Sequence, residues 1–431
     1  MKFFASLLAA LALLSSGVVA KSNFGEETKT IDQLYADAVA EGGNLVLYHG
    51  GDTPTSQNTL HDAFVERFPK MNFTAVVDYS KYHDVRIDNQ LETDTLVPDV
   101  VALQTLQDFT RWAKTGVLLP YKPANFSKIH NSLKDKNGAW LGYSIYQFSF
   151  VYNTTALNGL APPATPADLV DPKYAGKIAS SYPNDDDAVL FLFTRYVEKY
   201  GWDWVSQFAQ QNASFNRGTN VARDLVTSGE KPIGVGCSVR GNSLTLVTNG
   251  TEYLSWGQRM GILSKAKHPT AAKLFMNWII SEEAQTTLVS SSPRTDINTN
   301  KPWDIPEANM AAFPKFMEDR ATAEEWRQKF SLYIGEVQGK PSPARNFDVR
   351  LPPQGRGQAS FFHALATAGA ESSEDFGDTA DEAATPGGLN EQVHRALQGN
   401  GSYGLMADQL DAIFKRLSGT DTAPRAAKRC Q

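Results

Sequence analysis

From 143 to 152 the chain reads Tyr-Ser-Ile-Tyr-Gln-Phe-Ser-Phe-Val-Tyr, ten residues of strand-forming character without a turn signal. That is long for a strand inside one compact lobe, and a segment of this length can leave one lobe and enter another. A second extended run, Tyr-Leu-Ser-Trp at 253–256 with Met-Gly-Ile-Leu at 260–263, offers a way back. Two crossings make a hinge of two strands, with a cleft between the bodies they join. The predicted organisation is a first lobe over 43–147, a second over 148–252 and a return to the first over 253–338.

Each lobe shows strands alternating with helices. The apolar run 45–48 ends in Gly50-Gly51, and Leu60, Ala63, Phe64 and Phe68 then follow helical spacing until Pro69 stops it. Strands are predicted at 73–77 and 98–103, the latter followed by a helix through Leu106, Phe109 and Trp112 with a Gly116 stop. Helices at 187–200, 202–211 and 221–226 and a strand at 232–236 continue the pattern. Pro269 opens a helix whose apolar face is Ala271, Leu274, Phe275, Trp278 and Ile279, and another is predicted over 323–332. Such alternation predicts an α/β protein with sheets covered on both faces.

The ends are different. Lys2, an apolar run over 3–14 and Val18-Val19-Ala20 make the pattern of a cleaved signal peptide over 1–20, and no later stretch has eighteen uninterrupted apolar residues. From 339 to 431, Ala, Gly, Ser, Pro and acidic residues dominate, a composition that predicts a disordered tail. Six sequons, at Asn72, Asn125, Asn153, Asn212, Asn249 and Asn400, exceed the about three or four that chance supplies, and with a leader they predict a eukaryotic secreted glycoprotein. Cys237 and Cys430 are the only cysteines, so disulfides do not organise the fold; the two could pair only if the C-terminus folds back. A net charge of −6 argues against a nucleic-acid binder.

Three segments carry a family resemblance: Leu45-Val-Leu-Tyr-His-Gly-Gly51 with its helix ending Phe68-Pro69; Pro166-Ala-Asp-Leu-Val-Asp-Pro-Lys-Tyr-Ala-Gly-Lys-Ile-Ala179; and 261–278 around His268-Pro269. Together they resemble the bacterial iron-type and sugar-phosphate-type extracellular solute-binding proteins, the binding components of ABC transporters. The resemblance covers about 43–335 and implies a two-lobed type II periplasmic binding protein-like fold, here in a fungal-like secreted relative. Iron-binding members use a Tyr pair after the last strand of the second lobe. That position here is Gly236-Cys-Ser-Val-Arg240, and their His and Glu ligands fall near Asp52 and Gln104. No iron ligand is kept, so no metal is expected.

Loops at strand C-termini face the cleft in such lobes. This makes His49, Gly50, Gly51, Asp52 and Gln104 candidate ligand-binding residues of the first lobe, and Tyr182, Asp185, Asp187, Arg217, Ser238 and Arg240 of the second, with Trp256 on the return crossing. Asp185, Asp186 and Asp187 could equally cap the helix they precede, and Thr219 the next one. Facing carboxylates need a countercharge on closure, from Arg217 and Arg240 or from a cationic ligand. Enzyme signatures are thin: Arg240 stands where a Gly-x-Ser-x-Gly elbow needs its second glycine, and no histidines have metal-ligand spacing. The expected function is a secreted, extracellular, monomeric protein, not an enzyme and without cofactor or catalytic residue, that closes on a small polar solute. It would bind no nucleic acid, would not span a membrane, and could hand its solute to a membrane receptor or transporter. The alternative is a secreted enzyme on the same fold using Cys237 or cleft carboxylates.

Overall fold

Buried-strand runs and amphipathic helices alternate through the computed structural model, which describes residues 25–238 and 244–339. The expected leader, Arg240, Asn400, Cys430 and the tail beyond residue 339 lie outside the described residues. The first part holds α1 (Ile31–Glu41), β1 (Asn44–Gly50), α2 (Asn58–Arg67), β2 (Asn72–Asp78), α3 (Ser80–Glu92), β3 (Val100–Leu103), α4 (Leu106–Thr115) and β4 (Leu141–Asn153). Then come β5 (Ile178–Ser181), α5 (Asp187–Gln210), β6 (Ser214–Asn216), α6 (Thr219–Ser228), β7 (Ile233–Cys237), β8 (Leu244–Leu246) and β9 (Leu254–Ile262). The chain closes with α7 (Pro269–Ile279), α8 (Glu282–Thr287), α9 (Ala312–Glu318) and α10 (Arg320–Ile334).

The strands run in the order β2-β1-β3-β9-β4-β7-β5-β6, with β8 also on β4. β1 pairs parallel with β2 and β3, and β5 parallel with β6 and β7. β4 and β9 lie antiparallel to each other between these two sets. From Leu141 to Phe148, β4 pairs with β9; from Ser149 to Tyr152 it pairs with β7, with a register shift between Ser149 and Phe150 inside that pairing. A bulge bends a strand and increases its twist, and this one sits where β4 passes from one neighbour to the next.

The two cores follow from this division. One gathers Phe64, Phe68, Phe275 and Trp278 with Leu141, Tyr143 and Ile145 of β4 and Met260 and Ile262 of β9. The other gathers Phe191, Phe193, Tyr196 and Phe208 of α5 with Phe148 and Phe150 of β4 and Leu254 and Trp256 of β9. Each crossing strand is therefore anchored in both cores, with its middle at the boundary. The fold is the mixed α/β, two-halved architecture that the alternation and the two long runs predict.

The end of the return segment departs from the expectation that 253–338 rejoins the first lobe. Phe313 and Met317 of α9 and Ala323 and Phe330 of α10 are buried in the second core, and Trp326 stacks on Trp202, 5.5 Å between ring centroids. The apolar face of α10 finds its complement on α5, so 312–334 covers the second half.

Candidate functional site

Between the two cores lies a cavity of about 930 Å³, lined from both sides. The turn after β1 is one wall. Gly50 is required there: a Cβ would meet Ser80 Oγ at 2.3 Å. The glycine lets α3 approach, and Ser80 Oγ in turn accepts from Gln104 N at 2.9 Å, fixing the loop after β3. Beneath this floor His49 is buried, its Nδ1–H donating to Gly50 O at 2.5 Å. Its Nε2 must then accept from the Tyr143 hydroxyl, at 2.6 Å. That commits the Tyr143 proton, so in the 3.2 Å contact between the two tyrosines Tyr146 donates. Burial pushes the His49 imidazole down to about 4, which leaves it neutral at physiological pH.

Asp52 crosses the cleft. Its carboxylate accepts from Thr219 N at 2.6 Å, Asn220 N at 2.7 Å and Thr219 Oγ1 at 2.9 Å. It therefore satisfies free N–H groups at the start of α6 and meets the positive end of that helix. Thr219, expected as the cap, is instead the first residue of α6; the cap position is Gly218, which has no side chain to offer. A carboxylate from the other half does that work.

The three consecutive aspartates before α5 have three different duties. Asp185 accepts from Lys81 Nζ at 2.5 Å, and Arg217 Nε stands 3.5 Å from its other oxygen. Asp186 is the N-cap, accepting from Ala188 N at 2.8 Å and Val189 N at 3.0 Å. Asp187 pairs with Arg320 at 3.2 Å and with Arg327 of α10. Desolvation outweighs the cap hydrogen bonds on Asp186 and raises its carboxyl to about 7, with Asp52 and Asp187 adding to the rise. The Tyr79 phenol on the opposite wall is pushed up by burial and by the Asp52 and Asp185 charges.

Of the residues predicted from sequence, Gly50, Gly51, Asp52, Gln104, Asp185, Asp187, Ser238 and Trp256 line the cavity. His49 lies beneath it, Tyr182 stacks on Phe215 away from it (5.4 Å between ring centroids), and Arg217 stands behind Asp185. Arg240 is outside the described residues. Sequence reasoning missed Lys81, Tyr146, Gln147, Gln258 and Arg327, all of which line the cavity. Gln258 was within reach: two residues beyond Trp256 on one strand, it shares the Trp256 face, and Trp256 Nε1 donates to its Oε1 at 3.1 Å. Lys81 and Arg327 come from helices far away in sequence and carry no local signal.

Two further expectations change. Asn153, predicted as a glycan acceptor, is buried; its Nδ2 donates to Val226 O at 2.9 Å and its Oδ1 accepts from Thr155 N and Ala156 N. A glycan would have to break that network. Asn72, Asn212 and Asn249 are exposed and Asn125 half-buried. Cys237 is buried at the end of β7, and desolvation raises its thiol to about 12, which leaves negligible thiolate for nucleophilic chemistry. Among the described residues no group of three or more His, Cys, Asp or Glu side chains is placed to hold a metal ion, and no helix is long and apolar enough to cross a membrane.

Comparison with known proteins agrees with this architecture. Residues 97–247, from the third strand through the second half, match the family model described as bacterial extracellular solute-binding protein. A Haemophilus influenzae protein, itself uncharacterized, is 26% identical over 279 residues, covering 60% of this chain and 79% of its own. Iron-bound HitA from Pseudomonas aeruginosa superposes with a TM-score of 0.53 at 17% identity, covering 67% of this chain and 99% of HitA. The periplasmic binding protein AfuA from Actinobacillus pleuropneumoniae, with fructose-6-phosphate bound, gives 0.55 at 18% identity, covering 68% of this chain and 98% of AfuA. The substrate-binding protein of an ABC transporter from Agrobacterium tumefaciens gives 0.56 at 16%, covering 68% and 96%. The chain has the type II periplasmic binding protein fold, and its residues 97–247 are similar to the extracellular solute-binding family.

Proposed function

We propose that this protein works outside the cytoplasm as a monomeric solute-binding protein, its halves closing around a small polar solute and reopening without chemical turnover. The observation that carries this is the division of β4 and β9: each is anchored in both cores, with the cavity between them. Only two strands need to flex for one half to swing against the other. The family match supports the same reading, and the volume is at the upper end of the roughly 300–1,000 Å³ typical of small-molecule sites. The enzyme alternative using Cys237 meets a buried, protonated thiol. The one using cleft carboxylates meets groups already ion-paired or capping helices. A membrane receptor or transporter would receive the solute, and N-glycans would sit on Asn72, Asn125, Asn212 and Asn249.

The test is a thermal-shift screen of the purified secreted protein against a metabolite library, with product analysis of every hit. A hit that raises Tm, is recovered unchanged and shrinks the radius of gyration is the expected result. Conversion of the hit to a product would overturn it.

A further inference from the structure

The charges that reach the cavity among the described residues are already answered from within the protein. Five carboxylates line it: Asp52, Asp185, Asp186, Asp187 and Asp224. Lys81, Arg223 and Arg327 line it too, and Arg217 and Arg320 reach the same carboxylates from behind. Asp52 is held by α6, Asp185 by Lys81 and Arg217, Asp187 by Arg320 and Arg327, and Asp224 by Arg223 at 2.8 Å. The five cations are thus all ion-paired with Asp185, Asp187 and Asp224, while Asp52 and Asp186 are held by the free N–H groups at the starts of α6 and α5. A phosphate or carboxylate ligand would find no cation among these residues without an ion-pair partner, and an amine no carboxylate without an ion pair or helix-capping hydrogen bonds. Either would have to break an existing pair or enter a partly dry cleft without a counterion.

What the cavity offers a ligand is neutral. The side-chain amides of Gln57, Gln104 and Gln147 line it and make no hydrogen bond among the described residues. Gln258 is 5% exposed, its Oε1 is held by Trp256, and its Nε2 makes no hydrogen bond among those residues. A Cβ on Gly50 would stand 3.6 Å from that nitrogen, so the glycine keeps its approach open. That N–H faces the cavity, where a ligand acceptor can pair with it. Tyr146, its proton committed to Tyr143, can only accept from a ligand. The Tyr146 and Trp256 rings, stacked at 5.6 Å, form an aromatic part of the wall. Groups that both donate and accept, carried on a framework with apolar C–H faces, match this set.

Building on the solute-binding reading, we propose that the cavity selects a neutral polyhydroxylated solute, of the carbohydrate or polyol class, and that Asp52 and Lys81 determine this selectivity by keeping the cleft's charge balanced. Asp52 fills the anion position at the start of α6 that a ligand phosphate would otherwise take. Lys81 answers the carboxylate that a ligand amine would otherwise meet.

Neutral sugars and polyols, from one to three rings or their open-chain equivalents, are paired with their phosphorylated and amino counterparts and titrated calorimetrically into the full protein. The neutral member of at least one pair is expected to bind about tenfold or more tighter than either counterpart. Asp52→Asn is expected to move the ratio about tenfold toward the phosphorylated member, and Lys81→Met a similar factor toward the amino member. Opposite shifts cannot arise from a general loosening of the fold. Tighter binding of a charged member by the wild type, or ratios unmoved by both substitutions, would overturn this inference and leave the solute-binding reading standing. Silence from every neutral solute while the metabolite screen finds a charged binder would do the same; silence in both would overturn both.

Discussion

Asp186 is pulled in two directions. The N–H groups of Ala188 and Val189 favour its charged form, while the protein packed around it favours the neutral one, and desolvation wins, placing the carboxyl at about 7. The residue keeps partial exposure to the cavity, which moderates the effect. An unfolded aspartate titrates near 4, so the folded state binds this proton more tightly. The stability contributed is then fully present below about pH 4 and is lost as pH rises to about 7. Asp186→Asn keeps a capping oxygen and removes the titration. Relative to wild type, the variant should gain stability between pH 5 and pH 8, on the order of 1 kcal/mol or a few degrees in Tm. His49, held down at about 4, works in the opposite sense below pH 6.5, but it is common to both proteins and cancels in the difference. A Tm difference that stays constant across this range would show that Asp186 is charged throughout. Sequence placed these aspartates at a helix start correctly, but it could not apportion their roles. The partners Lys81, Arg320 and Arg327 lie more than one hundred residues away, and only the fold brings them together.

Elements were legible where burial and hydrophobicity coincide. β1, α4, α7 and the crossing strands have apolar buried faces, and α4 ends where Gly116 takes φ 75°. α3 was not seen, although its buried positions Ser80, His83, Ile87 and Gln90 keep helical spacing. Three of the four are polar, making contacts such as Gln90 Nε2 to the Tyr48 hydroxyl at 3.1 Å, so an apolar-periodicity search passes over them. The expected break between helices at 200–202 is real: two helical segments meet at a non-helical Gly201. α5 runs from Asp187 to Gln210 and bends at Gly201, which takes φ 77° and ψ 173°. That region is essentially reserved for glycine. No atom stands within 4 Å of where a Cβ would sit, so Gly201→Ala tests the backbone alone. It should cost about 1–3 kcal/mol, read as a Tm several degrees lower. An unchanged Tm would mean that the two segments can straighten into one helix without loss.

At the scale of the whole molecule, the cavity is bridged by the protein's own bonds. Asp52 reaches α6, and Lys81 reaches both the carboxylate and the backbone carbonyl of Asp185, at 2.5 and 2.9 Å. Both run from the first half to the second. They were invisible in sequence because a clamp is a property of two surfaces meeting, and neither surface has a local signature. Such contacts favour the closed arrangement before any solute arrives, and a solute adds to that bias only through what it binds better in the closed state. The double variant Asp52→Asn, Lys81→Met removes one negative and one positive charge, so the net charge of the cleft is unchanged while the Lys81–Asp185 bridge is lost and the Asp52 bridge is weakened to neutral hydrogen bonds. Without ligand, it should scatter with a larger radius of gyration than wild type at equal concentration. Since each crossing strand is anchored in both cores, circular dichroism should be unaltered, because opening bends β4 and β9 without unpacking either core. A saturating hit from the metabolite screen should return the variant to the wild-type radius, with weaker apparent affinity because closing now draws on binding energy alone. If the ligand-free radii of the two proteins coincide, the bridges do not hold the halves together. The closed arrangement would then rest on the hinge strands themselves.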